Sequence, residues 1–241
     1  MNPLNRAARV AGLWYLSIVL VGPFSLMYVP DKLIVRGDAA ATAHNVLAHE
    51  ALFRAGIVAD LLGSILFIMV GLMLYRLLHG VSKTWAWVML AFVLVSAAVG
   101  FSNVLHHLGA LTLFLGADFL SVFDQPQRDA LGYLFLRLYS QGISMNELFW
   151  GFWLLPFGVL VAKSGFLPRF LGYWLVVNCF AWVAVSLAGL LAPPYSDSIY
   201  RSLTPVFFGE IAIMLWLIIK GAKGPAAESA RGQITRVGAS A

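Results

Sequence analysis

Six long apolar stretches dominate the chain, running roughly from Val10 to Tyr28, Leu52 to Leu77, Trp85 to Leu115, Gln141 to Ala162, Phe170 to Leu191 and Leu203 to Ile219. A hydrocarbon core about 30 Å thick needs about 20 such residues per helix. Charged residues gather between the stretches. The pattern therefore predicts an all-α integral membrane bundle of about six transmembrane helices, with short extracytoplasmic and interfacial helices. The first stretch follows Arg6 and Arg9 as a secretory signal would, but it leads into Gly-Pro-Phe-Ser-Leu-Met-Tyr rather than a small-residue cleavage site, and it is read as a retained span.

Two connecting segments carry helical patterns of their own. After Asp38, a residue suited to capping, Ala39 opens a run of strong helix formers that predicts a helix continuing into the second span. Between Asp124 and Tyr139, Leu131, Leu134, Phe135 and Leu138 recur at spacings of three and four, which predicts a helix lying along the interface before the fourth span. Residues 1–221 read as one transmembrane domain. Residues 222–241, with Gly-Pro and few large apolar residues, read as a disordered cytoplasmic tail.

Composition agrees with the pattern. The chain is 61% hydrophobic and 11% charged with mean hydropathy +0.84, against roughly 45–50% and 25% in soluble domains. The net charge of +5 comes from basic residues scattered at span ends, not from a basic face, which excludes nucleic acid as a partner and leaves the lipid bilayer. With the N-terminus in the cytoplasm, that side receives Arg6, Arg9, Arg76, Lys83, Lys163, Arg169 and Lys220, in short connections. The positive-inside rule thus predicts a multi-pass protein of the cell inner (cytoplasmic) membrane with both termini cytoplasmic. The sole cysteine, Cys179, excludes an intramolecular disulfide and a cysteine-based metal cluster.

Candidate chemistry comes from the polar residues inside the spans. A charge at the bilayer centre costs at least about 2.5–3.5 kcal/mol, so such residues face the bundle interior and mark sites. Asp60, His107, Glu147 and Glu210 are the ionisable ones. Helices in lipid associate through small residues, and Asp60, Asn103, His107, Glu147 and Asn178 each fall on their own helix's stripe of Gly, Ser and Ala. At 1.5 Å per residue the four ionisable groups sit about 9–12 Å below the outer interface. Their convergence would make an outward-facing pocket, with Arg54 above Asp60 as a neighbour.

Two functions compete for that pocket. In the first, Asp60, Asn103, His107, Glu147, Asn178, Glu210 and Arg54 bind or move a cation, a proton or a small polar ligand. In the second, His107, Asp60, Glu147 and Glu210 hold a divalent metal in an intramembrane hydrolase, since zinc accepts His and carboxylate ligands and acidifies bound water. Asp60 and Glu147 read equally well as salt-bridge partners of Arg54 and Arg137. His106 and His107, being adjacent, cannot share one face of a helix. His44 and His49 lie about 140° apart around a helix and do not form a zincin pair. No phosphate-binding glycine loop, serine nucleophile elbow or paired CxxC occurs.

The chain resembles a bacterial family of polytopic membrane proteins catalogued as domain of unknown function 4386. The likeness rests on Gly37-Asp38-Ala39-Ala40-Ala41-Thr42-Ala43 with Leu52-Phe53-Arg54 and Asp60, on Ser164-Gly165-Phe166-Leu167-Pro168-Arg169-Phe170-Leu171-Gly172, and on Gly209-Glu210 leading into Leu215-Trp216-Leu217 and Lys220-Gly221. It implies the membrane architecture and draws attention to Arg54, Asp60 and Glu210 without assigning them roles.

Overall fold

The computed structural model describes residues 2–222. Six helices among them are long and apolar enough to cross a membrane: α1 (Pro3–Leu33), α3 (Glu50–Leu78), α4 (Lys83–Leu115), α5 (Gln125–Lys163), α6 (Arg169–Leu191) and α7 (Pro193–Ile219). A shorter helix, α2 (Ala39–Ala48), joins the first two. The expected tail at 222–241 lies, apart from Ala222, outside the described residues.

Local chemistry sets the ends and breaks of these helices. Asp38 caps α2 as its sequence predicts, its carboxylate accepting from the Ala41 N–H at 2.9 Å. The run does not continue into the second span. His49 leaves the helical region (φ −126°, ψ 41°) and separates α2 from α3 with neither Gly nor Pro to signal the break. Asp124 and Gln127 form a reciprocal capping box at the start of α5.

From there α5 runs unbroken to Phe152, so the expected interfacial helix is the outer part of the fourth span. Nothing near Tyr139 can stop the helix. Arg137 and Gln141 are exposed, while Gly132, Leu136 and Tyr139 between and before them turn inward. The interruption comes at Trp153 instead, where Pro156 offers no N–H to the Phe152 carbonyl. In α1 the chain passes through a wider π-type turn at Phe24–Tyr28, between Pro23 and Pro30, closed by the Val29 N–H on the Phe24 carbonyl.

The spans pack as a closed ring in which α1 meets α3, then α4, α5, α6 and α7 follow in turn, and α7 returns to α1. The buried apolar side chains form two clusters with no residue in common. One gathers around Leu74, Met89, Trp153, Phe157, Leu175 and Leu217. The other, towards the opposite end, gathers around Leu33, Val46, Phe53, Leu111 and Leu136. Between them Ser96, Asn103, His107, Asn146, Asn178 and Ser186 are all buried. The bundle thus has a polar waist between two apolar ends, and polar contacts across helices supply attraction there that lipid-like side chains cannot.

Candidate functional site

One centre of the waist is built by α3, α4 and α5. Asp60 lies one turn after Gly56, whose missing side chain lets Val29 press against α3. Its carboxylate Oδ2 accepts a hydrogen bond from the Tyr139 hydroxyl at 2.7 Å. His107 Nδ1 stands 3.4 Å from the same oxygen. That is an ion-pair distance, but the alignment does not make a hydrogen bond, and Nδ1 is a buried nitrogen without a hydrogen-bond partner among the described residues. The His107 ring stacks on Tyr139 with centroids 3.6 Å apart and planes inclined by 19°. Phe53 meets the same ring edge-on, with centroids 5.2 Å apart.

Asn103, one turn before His107, donates to the Tyr139 carbonyl at 2.9 Å and has its own carbonyl oxygen 3.1 Å from His106 Nδ1. His106 therefore turns away from Asp60, towards Phe135. Below this centre Ser96 donates to Asn146 at 2.9 Å, joining α4 to α5 again.

The second centre belongs to the other half of the ring. Glu210 on α7 accepts from the Tyr15 hydroxyl of α1 at 2.6 Å and from the Trp182 indole N–H of α6 at 2.9 Å. Each carboxylate centre thus takes one side chain from each of three consecutive helices, and each has a tyrosine hydroxyl as a donor. Phe207 stacks on Trp182 at 4.3 Å, and Trp150 meets it edge-on at 5.5 Å. Asn178 lies midway along α6 between Trp182 and Trp174, and Trp174 donates to the Val206 carbonyl of α7 at 2.9 Å. Asn178 is fully buried, and among the described residues both of its amide atoms lack a hydrogen-bond partner.

The predicted site residues are therefore divided. Asp60, Asn103 and His107 come together. Glu210 forms a separate centre with Asn178 near it along α6. Glu147 is half-buried between Ser144 and Gly151, on the side of α5 that meets α6 through the Ser186 hydroxyl and the Ser144 carbonyl, and it makes no hydrogen bond or ion pair among the described residues.

Arg54 does not join the waist. Its Nε lies 2.6 Å from Glu50 Oε1, one turn back on α3, and its side chain is 54% exposed. Six residues turn the helix by about 240°, so a residue above Asp60 in depth points elsewhere around the axis. The salt-bridge reading of Asp60 and Glu147 fails with it, because neither pairs with an arginine among the described residues. The four-ligand metal set is also not assembled: among the described residues no three His, Cys, Asp or Glu side chains gather closely enough to hold an ion.

Sequence reasoning missed Tyr139 and Tyr15, whose hydroxyls serve the two carboxylates. Tyr15 does follow Ala8, Ala11 and Gly12 at the spacing of the small-residue face of α1, which is the signal that was available.

The fold and its waist define a polytopic all-α membrane protein with ionisable groups held inside the bundle. The chain belongs to the family described as domain of unknown function (DUF4386), whose model matches residues 10–221. A relative described as an uncharacterized protein of Archaeoglobus fulgidus is 31% identical over 159 residues, covering 66% of this chain and 79% of the relative. No solved structure matches the chain.

Proposed function

We propose that this protein binds a proton or small cation in its waist and passes it between the two sides of a cell inner membrane, with both of its termini in the cytoplasm. Asp60 and His107 carry the charge. Tyr139, Asn103 and Phe53 hold them in place, and the Glu210 centre, with Asn178 near it along α6, is the second station.

One observation carries the reading: the buried Nδ1 of His107 faces Asp60 Oδ2 at 3.4 Å and has no hydrogen-bond partner among the described residues. With Nδ1 unprotonated its lone pair would be repelled by the carboxylate oxygen, and an unpaired buried nitrogen costs roughly 1–3 kcal/mol. A proton between the two atoms, or a cation bridging them, removes both penalties at once. Among the described residues Asp60 Oδ1 accepts no hydrogen bond, which leaves one carboxylate oxygen open to a ligand.

The test is a flux assay on the full chain reconstituted in liposomes that contain a pH-sensitive dye. Under an imposed gradient, wild-type vesicles should equilibrate faster than protein-free vesicles, and Asp60→Asn should abolish the difference. Equal rates in wild type, Asp60→Asn and protein-free vesicles, for protons and for potassium and ammonium alike, would overturn the proposal.

A further inference from the structure

Far from the waist, at the end of the bundle that holds the 164–168 connection, a groove of about 470 Å³ opens between the last turns of α5 and the first turns of α6. Its apolar wall is Val159 and Val176, with Tyr173 beside them, and Lys163 and Arg169 stand where α5 ends and α6 begins. The helices meet backbone to backbone at its floor, since a side chain on Gly158 would come within 2.6 Å of the Gly172 carbonyl oxygen. The loop above is tied down by the Leu167 N–H donating to Ser164 Oγ at 3.1 Å.

We infer that this groove binds the headgroup of an anionic phospholipid, with Lys163 and Arg169 on its phosphodiester and Val159 and Val176 along an acyl chain. Both cations are exposed, and neither has an acidic partner or a hydrogen bond among the described residues, so the fold itself does not use them. They flank a mouth whose wall is apolar, which matches a ligand with a charged end and a hydrocarbon body. Phe170 and Tyr173 are 57% and 63% exposed next to the groove, where aromatic rings settle at headgroup depth. The helix α6 begins at Arg169 itself, and its N-cap Pro168 makes no side-chain cap, so the positive end of the helix lies beside that cation. Basic clefts between spanning helices at the membrane surface are well suited to anionic headgroups.

The experiment uses purified full-length protein equilibrated with phosphatidylglycerol and phosphatidylcholine of equal chain length, with the retained lipid counted by native mass spectrometry. Wild type should retain phosphatidylglycerol preferentially. Lys163→Gln with Arg169→Gln should weaken that retention about 30-fold, the effect of two cations near the surface. A second pair, Arg76→Gln with Lys83→Gln, removes the same charge at the same end of the bundle and should leave retention unchanged. Val159→Trp, which fills the groove and keeps both cations, should also reduce retention while its melting temperature confirms folding. Equal loss in the two charge-removed pairs, equal retention of both lipids, undiminished retention in a folded Val159→Trp protein, or displacement of the lipid by inorganic phosphate at matched concentration would each overturn the assignment.

Discussion

Tyr139→Phe is the most informative single change, because it removes one hydroxyl and leaves everything around it in place. The ring continues to stack on His107, the backbone carbonyl continues to accept from Asn103, and the residue is only 7% exposed, so little solvent can replace the lost donor. What disappears is the 2.7 Å hydrogen bond to Asp60 Oδ2. Hydrogen bonds to charged groups contribute about 1.5–3 kcal/mol in soluble proteins. Polar contacts between helices in a membrane average about 0.6 and reach about 1.7 kcal/mol, because the reference state also finds partners.

Asp60 retains only the poorly aligned His107 contact, so a cost near the upper membrane value, about 1.5 kcal/mol, is expected. Reversible unfolding in mixed micelles, followed by tryptophan fluorescence, measures it. In an Asp60→Ala background the same change should cost about 0.3 kcal/mol or less, giving a coupling energy of about 1 kcal/mol or more, as for residues in direct contact. Equal costs in the two backgrounds would mean that the Tyr139 hydroxyl does not serve Asp60 and would remove the basis of the first centre.

Further outcomes follow from packing, charge and topology. Gly142→Ala should destabilise the bundle by about 1–3 kcal/mol in the same unfolding assay, since its new methyl group would lie 2.6 Å from Asn103 Cγ and force that side chain off the Tyr139 carbonyl. Arg54→Ala should cost only about 0.3–0.5 kcal/mol, and no more in a Glu210→Gln background, because Arg54 is exposed and its partner is Glu50 one turn away on the same helix. Reporter fusions at Gly80 and at Asp197 should report opposite sides of the membrane, with Gly80 cytoplasmic; both on one side would contradict the ring of alternating helices.

The bundle was largely readable from the chain because lipid imposes two strong rules, a minimum span length and a small-residue inner face. Those rules placed Asp60, Asn103 and His107 inward on α3 and α4, where the structure joins them. They also marked Asn178 as an interior residue, and it is fully buried.

What they could not give was the angle around each axis between residues on different helices. Depth alone set Arg54 above Asp60 at the mouth of one pocket and brought Glu210 into it, yet Arg54 turns to Glu50, and Glu210 meets Tyr15 from the first span, 195 residues away. Polarity misled at Arg137–Gln141, where exposed side chains suggested a boundary between two helices. The backbone continues through them, and Tyr139 lies among them on the inner side. The break at His49 had no glycine or proline to announce it.

The central claim is that Asp60 and His107 hold an exchangeable proton or cation inside the bundle. Difference infrared spectroscopy on the full chain in lipid tests it directly, by transferring the protein from H2O to D2O and, separately, by adding a potassium or ammonium salt. The account predicts carboxyl and imidazole difference bands in the wild type, loss of the carboxyl component in Asp60→Asn, and loss of the imidazole component in His107→Gln. A difference spectrum identical in all three proteins would contradict it.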